Sequence, residues 1–249
     1  MLELFERCLN AREKYIHSSG EGGDYYIEVE GNMLYILFEW SDGKEDWQSN
    51  FDFLPSGEKS IFYVLRALKN NICMSTIPYK DTPSRWRVHR GFLRVWKDMR
   101  DEIETRVDNL LKDNSRIKGI DIVGYSHGGA MALFAYEDMK YIYGDKYKIR
   151  GFGFASPRVI FGKVPSDVKE RIDGFIVIRN GLDIVTHVPP RVLGYRDSGE
   201  IVEIGRKHIY TPIGAHYPFA YIEELKEWEK QNCIASAKSI WQLDRKKAR

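Results

Sequence analysis

Cysteine is scarce in this chain: Cys8, Cys73 and Cys233 are the only three in 249 residues, and they lie far apart. An odd, dispersed set excludes a disulfide framework and suits a reduced compartment. None stands at metal-ligand spacing from a histidine, so no metal site is expected of them. No apolar run approaches the roughly 20 residues that cross a bilayer. The opening segment, Met1-Leu2-Glu3-Leu4-Phe5-Glu6-Arg7, lacks the basic region and apolar core of a secretory leader. These absences together predict a cytoplasmic protein. A strong excess of one sign of charge is missing too. A net charge of +2 gives no reason to expect a nucleic-acid partner. Repeats, low-complexity tracts and linkers are also absent, so residues 1–249 are expected to form one domain. What is present is apolar: 43% hydrophobic and 13% aromatic residues, enough for a sizeable core.

The most informative segment is Gly124-Tyr125-Ser126-His127-Gly128-Gly129. It is a Gly-x-Ser-x-Gly motif between a β-branched strand, residues 117–123, and a helix-forming run, residues 130–136. Strand, sharp turn and helix make the context of a nucleophile elbow. A serine in a strained turn needs small neighbours, which Gly124 and Gly128 supply. The turn lifts the Ser126 hydroxyl above the sheet edge, at a helix N-terminus that favours developing negative charge. Roughly one chain of this length in ten carries the three fixed residues by chance, given glycine at about 7% of average sequence. The partners must therefore decide.

Elsewhere, residues 25–30 alternate and turn at Gly31-Asn32 into the apolar residues 33–38, a β-hairpin pattern. Leu2, Phe5 and Leu9 mark a short amphipathic helix. Residues 61–69 read as helical. From Phe92, the positions Val95, Trp96, Met99, Ile103, Val107 and Leu110 keep the spacing of a long amphipathic helix. Residues 149–154 and 175–178 read as buried strands, with a helix at 168–172. Residues 195–204 read as a hairpin turning at Asp197-Ser198-Gly199. Residues 219–229 and 234–243 read as two late helices. Strands alternating with helices predict an α/β fold with a mostly parallel central sheet covered on both faces. The basic end, Arg245, Lys246, Lys247 and Arg249, reads as a solvated tail.

A serine nucleophile needs a base, and the base needs a carboxylate to fix its tautomer. In this fold they follow in the order Ser, Asp or Glu, His. Asp183 lies just past the strand 175–178, where such an acid belongs. Asp138, Asp145, Asp167, Asp173 and Asp197 fit less well. Among His187, His208 and His216, the last is the best base, in a loop leading into a helix. His187 belongs to the same loop as Asp183, and His127 reads as local packing or a rim contact.

These residues resemble the class 3, or fungal-lipase-like, family. Blocks that match in order between residues 33 and 228 are Phe38-Glu39-Trp40-Ser41 with Glu45-Asp46-Trp47, Val88-His89-Arg90-Gly91-Phe92, the elbow itself, Phe154-Ala155-Ser156-Pro157-Arg158-Val159, Asn180-Gly181-Leu182-Asp183-Ile184-Val185 with Val188-Pro189-Pro190, and His216-Tyr217 with Tyr221-Ile222. The resemblance implies an α/β-hydrolase fold and a triad of Ser126, Asp183 and His216. It implies Ser41 as an oxyanion-hole residue beside the backbone N–H of His127, and structural roles for His89 and Arg158. Trp40 departs from the family's usual glycine, and residues 55–87 run longer than its pattern. Residues 43–54, with Trp47, Phe51 and Phe53, fall where the family carries a lid.

The implied activity is a cofactor-free serine carboxylester hydrolase acting on lipid acyl esters, with transient contact at a lipid surface. The same triad would also serve a thioesterase or small-ester esterase. A non-catalytic lipid-binding relative would keep the fold alone.

Overall fold

The computed structural model describes residues 1–17, 23–38, 72–78, 83–205 and 211–247. Ser41, the aromatic stretch of Trp47, Phe51 and Phe53, the segment 61–69 and His208 lie outside the described residues. The N-terminal stripe folds as helix α1 (Leu2–Asn10), which buries Phe5 and Cys8. Strand β1 (Ile16–His17) leads to the hairpin of β2 (Asp24–Glu30) and β3 (Met33–Phe38), with Gly31 at φ +60° in its turn. A second hairpin joins β4 (Ile72–Pro78) to β5 (Pro83–His89). Helix α2 (Arg90–Asp113) then buries Phe92, Trp96, Met99, Ile103 and Val107 at helical spacing.

Strand β6 (Gly119–Tyr125) is buried throughout and runs into α3 (His127–Tyr143). After these come β7 (Lys148–Phe154), β8 (Ile160–Phe161), α4 (Ser166–Ile172) and β9 (Phe175–Asn180). The last elements are β10 (Tyr195–Arg196), β11 (Glu200–Ile204) and α5 (Pro218–Lys247).

The main sheet has seven strands in the order β1-β2-β3-β6-β7-β9-β11. Pairing is antiparallel at β1–β2–β3 and parallel from β3 through β6, β7 and β9 to β11. A smaller antiparallel sheet has the order β10-β8-β5-β4. One core unites α2, α3 and α4 with one face of the main sheet, through Trp96, Phe134, Ile122 and Val168. The other lies between the opposite face and α1 and α5, through Phe5, Phe154, Ile178, Tyr221 and Leu225. Both faces of parallel strands are thus kept from water, as their continuous apolar runs require.

Two sequence expectations change. Residues 195–204 are no hairpin. β10 pairs with β8 in the small sheet, whereas β11 pairs in parallel with β9 in the main one. The Asp197-Ser198-Gly199 segment crosses between sheets, and Gly199 (φ +77°) passes so close that a Cβ would lie 2.0 Å from the Phe175 carbonyl oxygen. The two late helices are one, α5, because residues 219–247 contain neither glycine nor proline to break it.

Candidate active site

The parallel strands place their carboxyl ends along one edge of the sheet. Ser126 follows β6 there, and Asp183 follows β9. Ser126 sits at φ 55°, ψ −119°, a conformation that costs about 1–3 kcal/mol and persists only when its surroundings impose it. Its N–H donates to the Phe154 carbonyl at 2.9 Å, and its carbonyl accepts from Gly129 N–H at 2.9 Å. A Cβ on Gly124 would lie 1.9 Å from the Gly128 carbonyl oxygen, and one on Gly129 would lie 2.7 Å from the Ser156 Cβ. The turn is therefore compressed on both sides.

Asp183 is fully buried, and its loop closes as a 3-10 turn at residues 184–187. Its carboxylate accepts from Val185 N–H at 2.9 Å and from the Tyr221 hydroxyl at 2.7 Å. Both of its oxygens lie 3.0 Å from His216 Nδ1. A carboxylate only accepts, so Nδ1 carries the proton and Nε2 is left as the acceptor. That Nε2 lies 3.0 Å from Ser126 Oγ. The structure thus brings together the three residues singled out from the sequence.

Several supports were not read from the sequence. Tyr221 accepts Asn180 N–H at 3.1 Å while donating to Asp183, so one phenol ties α5 to the acid loop. Burial, then the Asp183 charge, pushes its ionisation well above the ordinary range, which keeps it a donor. Asn180 Nδ2 donates to the Ala215 carbonyl at 3.0 Å, and Ile184 N–H donates to the Pro212 carbonyl at 3.2 Å. These bonds join the acid and base loops. Arg158 Nε donates to Asp197 at 2.6 Å, and its Nη1 donates to the carbonyls of His187 and Pro189. Paired neighbours in sequence space do not reveal such bonds, because the partners lie 28 to 41 residues apart.

The other histidines fall elsewhere. His187 Nδ1 lies 2.9 Å from the Asp183 carbonyl oxygen, inside the acid loop as read from the sequence. The His127 ring packs against Phe92, with centroids 5.5 Å apart. Its N–H is the first of helix α3, among donors that have no intrahelical acceptor. Of the competing aspartates, Asp138 pairs with Arg100 and Asp197 with Arg158, Arg179 and Arg191. Among the described residues, no cluster of three or more His, Cys, Asp or Glu side chains forms a metal site, and no helix is long and apolar enough to cross a membrane.

Comparison with known proteins extends this geometry. The secreted mono- and diacylglycerol lipase LIP1 of Malassezia globosa is 35% identical over 124 residues, 49% of this chain and 40% of that protein. Secreted mono- and diacylglycerol lipase 1 of Fusarium solani is 30% identical over 109 residues, 44% of this chain and 32% of that protein. The chain therefore spans less than half the length of these curated relatives. The crystal structure of a lipase from Rhizopus microsporus var. chinensis aligns with a TM-score of 0.56 at 20% identity, covering 77% of this chain and 60% of that one. The Rhizomucor miehei triacylglyceride lipase gives 0.56 at 19%, covering 77% and 65%. The shared architecture is the α/β-hydrolase fold.

The relatives correct one expectation. They are named as secreted proteins, which overturns the cytoplasmic placement. That placement rested on the opening residues and on dispersed cysteines, and neither feature determines the compartment. The family is decided by the long match of residues 35–193, which contains the elbow and the acid loop: the chain belongs to the class 3 lipases.

Proposed function

We propose that this chain is a serine carboxylester hydrolase that cleaves acyl esters of lipids through an acyl-enzyme on Ser126. The observation that carries the reading is the hydrogen-bonded line from Asp183 through His216 to Ser126. Ser126 Oγ attacks the ester carbonyl while His216 Nε2 takes its proton. Asp183, buried and held by Tyr221 and Val185, stabilises the imidazolium that forms. The tetrahedral intermediate collapses, and His216 returns the proton to the leaving alkoxide. Water then repeats the sequence on the acyl-enzyme and frees the fatty acid and Ser126. The negative oxygen of each intermediate needs donors already aimed at it. We assign these to the His127 backbone N–H and to Ser41.

The names of the relatives support acylglycerols as the ester class and action outside the cell. A second support is local. Leu182 and Ile184 flank the acid, and Ile213, Tyr217 and Phe219 flank the base, all 43–61% exposed. Val192, on the next loop, is 91% exposed. Apolar side chains gathered around one site mark a surface that meets something apolar. We read it as the rim that settles on aggregated lipid.

The test compares wild type with Ser126→Ala and Ile213→Asp on a soluble nitrophenyl ester and on an emulsified diacylglycerol. Ser126→Ala is expected to fold normally and lose both activities by at least about 10³-fold, because triad members act as a unit. Ile213→Asp is expected to lose emulsion activity and keep the soluble one. Hydrolysis by folded Ser126→Ala would end the serine mechanism. Equal activities of Ile213→Asp on both substrates would end the rim.

A further inference from the structure

Tyr125 occupies the variable position before the nucleophile, and it is 3% exposed. Its hydroxyl donates to the main-chain carbonyl of His216, 91 residues away in sequence. Its ring also stacks on the His216 imidazole, with centroids 5.4 Å apart and planes 19° from parallel. Phe5 of α1 and Tyr221 of α5 meet this ring edge-on at 5.3 and 5.9 Å, so it has no room to rotate away. Two consecutive residues therefore grip the same histidine. Ser126 meets its Nε2, and Tyr125 meets its carbonyl and its ring face.

We propose that Tyr125 is a positioning residue for the base, fixing the distance between His216 and Ser126 and stabilising the imidazolium form through its ring. This rests on the proposed triad. The bond geometry sets the first role. Ser126 and Tyr125 share one rigid strand end, so a hydrogen bond from Tyr125 to the His216 backbone holds the base in register with the nucleophile. The stack sets the second. A cation over an aromatic face is attracted by the ring quadrupole, by about 0.5–1 kcal/mol at exposed sites and about 2 when desolvated. The imidazolium exists only after proton transfer, so this attraction favours the transition state over the ground state.

Around the pair, the titratable groups are Asp183 on the acid loop, Tyr221 on α5, Tyr217 beside the base and Cys8 on α1. Burial first, then the Asp183 charge, pushes Tyr125 ionisation well above its ordinary value. The phenol thus stays a neutral donor wherever the base is active.

The experiment uses Tyr125→Phe and Tyr125→Leu, with Ser126→Ala as the control for the triad. Each is assayed on a soluble nitrophenyl ester, with full pH profiles of kcat/KM. Tyr125→Phe keeps the ring and loses the hydroxyl. It is expected to lower kcat about 10-fold, the effect of one net hydrogen bond of about 1.4 kcal/mol, with KM and the acidic limb unmoved. Tyr125→Leu also removes the ring, and its acidic limb is expected to move down by about 0.5–1 pH unit. Wild-type kcat in Tyr125→Phe overturns the positioning role, and so does a loss confined to KM. An unmoved limb in Tyr125→Leu overturns the ring's role. If Tyr125→Leu does not fold, pentafluorophenylalanine at position 125 replaces it: the ring keeps its volume but its face loses its negative charge, and imidazole titration by NMR in a Ser126→Ala background must show the same downward shift relative to Tyr125→Phe. Full activity in folded Ser126→Ala would instead remove the triad on which the inference stands.

Discussion

At the scale of single residues, the site is governed by what cannot be present. A methyl on Gly124 would fall 1.9 Å from the carbonyl oxygen of Gly128, which is backbone and cannot swing aside. Gly129→Ala meets the Ser156 Cβ at 2.7 Å, an atom that moves only with its backbone, but the overlap is smaller. Gly124→Ala is therefore expected to lower stability by about 2–3 kcal/mol or more and abolish esterase activity, with Gly129→Ala milder in both. Thermal melts and the soluble-ester assay of the two variants check the ranking, and equal effects would contradict it. The elbow's first glycine was legible because the motif's chemistry demands it. Gly129 was not, because its reason is the approach of residue 156 from the loop after β7. Tyr221 was legible as a matching residue but not as the donor to Asp183. Nothing in its local sequence fixes where a helix side chain meets a loop 38 residues away.

At the scale of elements, what was legible is what periodicity carries. The β2–β3 hairpin, α2, the elbow strand and α3 follow from alternation or helical spacing. The small sheet did not, because β8 and β10 are two residues each and gain their pairing only from tertiary contact. The misread hairpin at residues 195–204 has the same origin. Asp197 lies there among Arg158, Arg179 and Arg191, and ion pairs rather than a turn set the path. Arg158 is the most consequential of these. It is 5% exposed, it pairs with Asp197, and it holds two carbonyls of the acid loop. Arg158→Met keeps much of its volume but leaves those acceptors without their donor. Breaking a buried pair from one side costs about 3–5 kcal/mol. The two other arginines at Asp197 reduce this, so a loss of about 2–3 kcal/mol is expected, together with reduced kcat as the Asp183 loop loosens. Denaturant melts alongside steady-state kinetics measure both, and an unchanged kcat would detach the clamp from the site.

At the scale of the whole molecule, two buried titrations oppose one another. Glu137, in the centre of α3, is fully buried beside Arg171 at 2.6 Å. Burial pushes its carboxyl up to about 7 from 4.5, and Arg171 only partly offsets this. A raised folded pKa means stability that is complete below pH 4.5 and lost as pH rises towards 7. His89, 7% exposed at the start of α2, goes the other way. Burial first, then the neighbouring His127, pulls it down to about 4 from 6.5. Its contribution is complete above pH 6.5 and is lost as pH falls towards 4. Between pH 4.5 and 6.5 the two slopes cancel in part. Glu137→Gln removes one of them. Arg171 keeps Asp167 at 3.1 Å, so the variant does not leave that cation alone. Its stability is then expected to rise with pH across this window more steeply than that of wild type, by about 2 kcal/mol at 1.36 kcal/mol per pKa unit. Asp138 and the remaining groups are common to both proteins and drop out of the difference. Urea melts of the two proteins at pH 4.5, 5.5 and 6.5 decide the matter. Parallel curves would mean that Glu137 does not titrate in the window, and that Arg171 holds it ionised throughout.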